Sequence, residues 1–182
     1  MSQLRNRLIA EVIEREGGYV NDSTDRGGET MYGVTVKVAR EYGFKGAMHD
    51  LPYELAFKIY QDRYWAPLKL DEIQPLSEVL TEQLFDFGVN SGVSRAGKCL
   101  QRVLNVLNNR QTLYPDLTAD GVVGSRTLRA LIKFIDHRKQ SGLKVLIEAI
   151  RGQRISFCIN IAVKDESQEK YQFGWLKRIV HL

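Results

Sequence analysis

The chain has 182 residues and a hydrophobic content of 43%, which is enough for one good core or two small ones. It contains no run of about 18 apolar residues, and its charged N-terminus lacks an apolar region, so we expect neither a transmembrane helix nor a conventional signal peptide. The net charge of +4 is mild, and no dense Lys/Arg block with interleaved aromatic residues indicates binding to nucleic acid.

The cysteines and histidines do not form a metal-binding pattern. Cys99 and Cys158 lie in apolar, helix-like segments, so we expect buried reduced thiols rather than a disulfide. His49, His137 and His181 are scattered, and no His/Cys/Asp cluster has the spacing of a zinc site. We therefore expect no metal and no cofactor, and a zinc amidase or endopeptidase is disfavoured.

The first predicted elements are a helix and a β-ribbon. Residues 4–16 have the apolar period of an amphipathic helix, which ends at Gly17-Gly18. Residues 19–35 combine polar turn formers around three glycines with β-type residues, and this pattern predicts a small twisted ribbon. The β-type residues are Tyr19, Val20, Thr30, Tyr32, Val34 and Thr35.

The rest of the chain is predicted to be helical almost to its end. We predict helices over residues 35–42, 50–65, 76–90, 94–108, 125–135 and 143–163. Asp50 and Ser125 are the expected N-caps of two of them, and Gly92 separates another pair. The apolar tail over residues 171–182 is expected to dock. These elements predict an α+β fold that is mostly α.

Glu16 stands directly before the glycine pair that ends the first helix. It follows Ile13 and Val12 by three and four residues, so we expect it on their core-facing side. Partial burial and the negative end of the helix dipole both disfavour a charged carboxylate there. A carboxyl group that stays protonated near neutral pH is what a general acid needs, and an ordinary glutamate at an exposed helix end is the alternative.

Further residues of the same segment suit chemistry on a sugar. A ribbon that folds back over the helix end would bring Asp25 opposite Glu16, the arrangement with which two carboxyl groups hydrolyse a glycosidic bond. Thr30 would then orient Asp25 or position a water. Asp22 and Glu29 are alternatives for the second carboxylate, since "NDSTD" also suits turns in which aspartates bind the backbone. We favour Asp25 for its spacing.

The segment "EGGYVNDSTDRGGETMYGVT" resembles the opening motif of the phage and bacterial N-acetylmuramidases of glycoside hydrolase family 108. Its order of Glu, Asp and Thr is similar to the triad of phage-type lysozymes. The chain departs from the family pattern at Ser23 and Val34, where proline is common and isoleucine usual. The resemblance implies a lysozyme-like fold that hydrolyses the MurNAc–GlcNAc β-1,4 bond of peptidoglycan, with Glu16 as general acid and Asp25 and Thr30 as its partners.

The resemblance extends along the chain. "FDFGVNSGVSRAGKCLQRVLN" is similar to a helix pair of the family, and "FGWLKRIV" to its closing segment. "DGVVGSRTLRAL" resembles a signature of small peptidoglycan-binding modules, although whether it binds glycan or only buttresses its surroundings stays open. We expect a lysozyme-like catalytic region over residues 1–90 and a helical, peptidoglycan-binding-like region over residues 91–182, packed against the first.

Three residues are candidate substrate contacts: Tyr32 in the ribbon, Trp65 and Asn90. Trp65 belongs to an aromatic stripe of the kind that is usually core, and we expect it to be the member that stacks on a sugar. Asn90 lies four residues after Asp86, on the same side of one predicted helix. We expect the pair to support the ribbon, with Asn90 lining the cleft.

Together these features predict an endolysin-type muramidase that acts on peptidoglycan glycan strands as a monomer, without stable membrane insertion. We expect it to stay in the host bacterial cytoplasm until release and to act in the periplasm or cell wall. A lytic transglycosylase, which can work with one catalytic glutamate, is an alternative enzyme. A non-catalytic wall-binding or scaffolding protein with the same fold is the alternative from another class.

Overall fold

The computed structural model describes residues 3–21 and 28–182, and this part of the chain is mostly helical with one small antiparallel sheet. The helices are α1 (Gln3–Glu16), α2 (Val36–Glu41), α3 (Tyr53–Tyr60), α4 (Leu70–Ile73), α5 (Glu78–Ser91), α6 (Val93–Leu107), α7 (Ser125–Lys164) and α8 (Glu169–His181). The strands are β1 (Thr30–Met31) and β2 (Val34–Thr35). The chain divides into two compact units, residues 1–66 and 67–182.

Helix α1 supplies much of the apolar core of the first unit. The five apolar residues of its predicted face are all buried, which confirms the amphipathic pattern: Leu4, Leu8, Ile9, Val12 and Ile13. The helix ends where predicted, since the amide of Gly17 donates the last bond, to the carbonyl of Ile13 at 3.2 Å. The glycine pair therefore fixes the position of Glu16 as the final helical residue.

The predicted ribbon is present and is shorter than its β-type residues suggested. Thr30 pairs with Thr35 across β1 and β2, and Val20 forms a further antiparallel bridge to Thr30. Tyr32 and Gly33 form the turn between the strands, with φ of 56° and 71°. Two positive φ values are those of a type I′ turn, which matches the twist of a hairpin. Of the predicted β-type residues, Tyr32 thus occupies the turn of the ribbon and not a strand.

Two short helical segments complete the first unit. The Thr35 hydroxyl caps α2 by accepting a bond from the Val38 amide at 3.4 Å. Helix α3 begins after Pro52, so the prediction of Asp50 as its N-cap is wrong; Asp50 ends a separate turn of 3₁₀-helix, Met48–Asp50. After α3 the backbone continues through a π-helical turn, Gln61–Trp65.

The second unit contains the short helix α4 and the longer helices α5, α6, α7 and α8. Ser77 caps α5 by accepting a bond from the Leu80 amide at 3.1 Å, and Gly92 separates α5 from α6 as predicted. Cys99 and Cys158 are buried free thiols, as expected, and burial raises the pKa of Cys99 to about 11. The C-terminal tail docks as the helix α8, with Ile179 buried.

Helix α7 joins two segments that the sequence predicted as separate helices. The join is a kink at Lys139, whose φ of 54° and ψ of −153° are not helical. The prediction of Ser125 as N-cap is wrong: Gly124 holds that position, and Ser125 is the first helical residue. Glycine has no side chain to accept a capping bond, so α7 begins without one.

The Asp-Gly turn before α7 packs directly on α6. A Cβ on Gly97 of α6 would clash with the carbonyl of Gly121, so only glycine allows this approach. The Gln101 side chain donates to the Asp120 carboxylate at 2.9 Å and accepts from the Gly121 amide at 2.8 Å. The bond from Gln101 lowers the pKa of Asp120. These contacts give "DGVVG" a buttressing role.

Candidate active site

Glu16 is the last residue of α1, and its side chain is exposed. The expectation of partial burial is therefore wrong. Burial along α1 stops at Ile13, and the final turn, residues 14–16, lies in solvent. The predicted position at the C-terminal, negative end of the helix dipole is confirmed.

The stem of Glu16 packs against the tip of the ribbon. A Cβ on Gly33 would lie 2.9 Å from Cγ of Glu16, 3.0 Å from its Cβ and 2.6 Å from the Tyr60 hydroxyl. The Tyr60 hydroxyl donates to the carbonyl of Tyr32 at 3.1 Å, so α3 holds the turn in place. We call these four residues, Glu16, Tyr32, Gly33 and Tyr60, the Glu16 cluster.

Tyr60 is a hydrogen-bond donor in this cluster. It is only 4% exposed, and burial raises the pKa of its hydroxyl; the nearby negative charge of Glu16 raises it further. Tyr60 therefore keeps its proton at neutral pH and cannot act as a base there. Tyr60 belongs to the same aromatic stripe as Trp65, for which the sequence predicts a core position. The sequence pattern did not link Tyr60 to Glu16, because the two residues are far apart in the chain.

The second carboxylate of the prediction, Asp25, lies outside the described residues, as does its alternative Asp22. The two ends of their segment are described. The backbones of Val20 and Thr30 exchange two hydrogen bonds, each 2.9 Å long. The described residues on either side of the segment that carries both aspartates are thus joined at one backbone pair, which begins four residues beyond Glu16. Thr30 itself is half-buried in β1.

An open groove of about 460 Å³ lies beside the end of α1. The Tyr32 and Tyr53 rings meet edge to face in its wall, with centroids 6.0 Å apart, and Gly17 and Gly18 line it next to Glu14. Because the two glycines have no side chains, a ring can approach the backbone closely beside the edges of the two tyrosines. The groove suits the predicted role of Tyr32 as a substrate contact.

The other two predicted contacts lie in different surroundings. Trp65 is 0% exposed, so its prediction as a sugar-stacking residue is wrong; its whole ring is used in packing. Asn90 is exposed on α5, in the second unit, and donates to the Asp86 carbonyl and carboxylate at 2.7 and 3.0 Å. Asp86 is buried and ion-paired with Arg154 of α7, within the second unit.

The described ranges, 3–21 and 28–182, contain neither a candidate metal site nor a candidate membrane span. No group of three His, Cys, Asp or Glu residues there could hold a metal ion. None of the helices in these ranges combines the length and the apolar character that a bilayer span requires.

Comparison with known proteins finds similarity to two family models and to one solved structure. Residues 9–92 match the family model of glycosyl hydrolase 108, and residues 95–180 match that of a predicted peptidoglycan domain. The structure of SagA from Brucella abortus superposes with a TM-score of 0.68 and 25% identity, covering 97% of this chain and 90% of that one. No curated protein matches the chain.

The first match contains the whole Glu16 cluster and the ribbon. The structural similarity confirms the predicted lysozyme-like α+β fold, mostly α. The two matches support glycoside hydrolase activity and peptidoglycan as the partner. The chain thus matches the glycosyl hydrolase 108 model over residues 9–92 and the model of a predicted peptidoglycan domain over residues 95–180.

Proposed function

We propose that the chain is an N-acetylmuramidase that cleaves the β-1,4 bond between MurNAc and GlcNAc and so lyses bacterial cell walls. The observation that carries the proposal is the Glu16 cluster. A carboxyl group at the end of a helix is held by its stem against a ribbon, within the region matched to a glycosidase family. The match of residues 95–180 to a predicted peptidoglycan domain supports peptidoglycan as the substrate.

In the proposed mechanism Glu16 donates a proton to the glycosidic oxygen as that bond breaks. A sugar lying over the exposed carboxyl would exclude bulk water from it. Exposure in the free protein is therefore compatible with the role, because the substrate itself provides the cover. Asp25 would assist the attacking water or stabilise developing positive charge, and Thr30 would complete the site.

The location of action follows as a proposal. The chain would be held in the host bacterial cytoplasm until release and would then reach the cell wall from the periplasmic side. Its net charge of +4 would favour approach to the anionic wall.

The proposal is tested by comparing two glutamates of α1. Glu16→Gln keeps the shape and removes the acid, so the rate of reducing-end release from purified sacculi should fall by about 10²-fold or more. Glu11→Gln is the matched control, because Glu11 is an exposed residue of the same helix, paired with Arg7 at 3.2 Å. Equal rates for Glu16→Gln and wild type would overturn the proposal.

A further inference from the structure

The second unit contains a cavity of about 290 Å³ between α5, α6, α7 and α8. Its volume is near the lower end of the range of about 300–1,000 Å³ that is usual for small-ligand sites. The walls are largely apolar and include the rings of Phe87, Phe157 and Trp175. The Trp175 ring is stacked on Tyr171, with centroids 5.8 Å apart, which fixes its orientation. The space is therefore sized for one end group with an apolar part.

The charged lining of this cavity is strongly unbalanced. Arg95, Arg154 and Arg178 line it, and Asp86 is the one acidic residue among the described residues of the lining. Arg154 bonds Asp86 in a buried ion pair and also donates to the Gln83 side chain. Asp86 is therefore neutralised by Arg154, and the positive charges of two further guanidinium groups remain.

These two guanidinium groups retain donors that face no carboxylate at bonding distance. The Arg178 Nε atom lies 3.9 Å from Asp86 Oδ1, which is too long for a hydrogen bond. Arg95 donates to the carbonyl of Ser91 and lies over the Phe157 ring, 4.3 Å from its centroid. Each guanidinium has five N–H donors, so both keep donors for an incoming anion.

The buried Arg154 points to the same chemistry. It is 2% exposed, yet its Nε has no hydrogen-bond partner within the part of the chain that the structure describes. A buried donor without a partner is costly, and an acceptor entering the cavity would relieve that cost. A cavity with surplus guanidinium donors and apolar walls is matched by a carboxylate on a small aliphatic residue.

We propose that this cavity binds the C-terminal carboxylate of a peptidoglycan stem peptide, with Arg178 and Arg95 as the contacting groups and Arg154 and Asp86 as positioning residues. A stem peptide that ends in D-alanine presents a carboxylate beside a methyl group, which fits the volume and the walls. A neutral glycan strand offers no anion to these arginines. The inference rests on the proposed function in so far as peptidoglycan is the partner.

The test uses the full chain and four soluble probes, whose binding is measured by calorimetry or NMR titration at low salt. The stem tetrapeptide ending in D-alanine should bind, and its C-terminal amide should bind at least about tenfold more weakly, since the charge-assisted bonds are lost. Free MurNAc separates the peptide carboxylate from the lactyl carboxylate of the sugar, and chitotetraose reports binding to glycan alone.

Matched variants locate the site. Arg178→Gln and Arg95→Gln should each weaken tetrapeptide binding about tenfold. Lys177→Gln removes the same charge from an exposed neighbour outside the cavity and should change binding less than about twofold. Thermal unfolding of each variant separates lost binding from lost folding, and Arg95 is exposed, so its variant is expected to fold.

The result that would overturn the inference is the absence of tetrapeptide binding, equal binding of acid and amide, tighter binding of MurNAc, or an equal effect of Lys177→Gln. Failure of the proposed function is distinguishable. Glu16→Gln should leave tetrapeptide binding unchanged, and a wild-type chain that binds the peptide without releasing reducing ends would refute the hydrolase and leave this site intact.

Discussion

At the scale of single residues, Gly33 determines how closely the ribbon approaches Glu16. Its φ of +71° is the left-handed conformation that glycine adopts without strain, and its Cα hydrogen faces both Glu16 and the Tyr60 hydroxyl. Tyr60 in turn holds the carbonyl of Tyr32. The stem of the exposed acid thus lies against Gly33, and the side chain of Glu16 stays accessible.

Gly33→Ala should therefore destabilise the first unit and lower activity together. The added methyl would meet Tyr60 Oη at 2.6 Å and Glu16 Cγ at 2.9 Å, and the positive φ adds strain, so we expect a loss of about 2–4 kcal/mol. Gly152→Ala is the control, because a Cβ there meets nothing within 4 Å and Gly152 lies outside the groove. Thermal unfolding and sacculus hydrolysis measure the two effects; a Gly33→Ala protein with wild-type values of both would contradict the cluster.

The two aspartates between Val20 and Thr30 can be ranked by substitution. If Asp25 is the second carboxylate, Asp25→Asn should lower the rate of sacculus hydrolysis by about 10²-fold or more, while Asp22→Asn should have a much smaller effect. Both changes keep side-chain volume and remove one charge, so each serves as the control for the other. The reverse ranking would reassign the role to Asp22.

Much of this local picture could be predicted from the sequence. The Gly17-Gly18 pair identified Glu16 as a helix-terminal acid, and the five apolar residues of α1 are buried as their period predicted. The exposure of Glu16 could not be read from that period, because the spacing gives the direction of a side chain and not what covers it. Trp65 was predicted to be accessible and is fully buried, because an aromatic stripe does not reveal which of its rings is fully covered.

At the scale of elements, α5 and α7 are joined by a buried ion pair. Asp86 and Arg154 are both buried, and the Arg154 guanidinium also lies 5.3 Å from the centroid of the Phe87 ring. Burial lowers the pKa of Arg154, since it disfavours the charged form, and the Asp86 carboxylate opposes that shift. Each charged group is thus the polar partner of the other, in place of the water that burial removes.

Removal of one partner should be costly. Arg154→Met leaves the Asp86 carboxylate buried without its closest cation, and we expect the free energy of unfolding to fall by about 3–5 kcal/mol. Glu11→Gln breaks the exposed pair with Arg7 and should cost less than about 1 kcal/mol. Urea unfolding followed by circular dichroism measures both, and similar small losses would show that the buried pair contributes little.

Element type followed from sequence pattern more reliably than element geometry. The helical period and Gly92 predicted α5 and α6 with bounds close to those observed. The kink at Lys139 and the positive φ of Tyr32 have no signal in periodicity, because lysine and tyrosine rarely adopt such backbone conformations. The turn at Tyr32 is held by the Tyr60 hydroxyl, which comes from a distant segment of the chain.

At the scale of the whole molecule, the structural division and the family matches fall at different places. The compact units meet at residues 66 and 67, whereas the two family matches meet between residues 92 and 95. Helix α5 belongs to the first match and packs within the second unit. The hydrolase match therefore includes a helix whose apolar face is covered by α6 and α7.

A chain cut after residue 92 should consequently fold poorly. It would keep α5 and lose the helices that cover Leu84 and its buried neighbours, so we expect aggregation and loss of sacculus hydrolysis. Gel filtration and circular dichroism measure the outcome against the full chain. A monomeric, cooperatively folding and active fragment of residues 1–92 would contradict the division of the structure.

The central claim, glycosidic hydrolysis at Glu16, is tested most directly by mass spectrometry of the products released from purified sacculi by the full chain. We expect the wild-type protein to release muropeptides with a reducing MurNAc end and Glu16→Gln to release none. Products with 1,6-anhydro ends would identify a lytic transglycosylase, and wild-type protein that binds sacculi and releases nothing would identify a wall-binding protein. Either result would contradict the account.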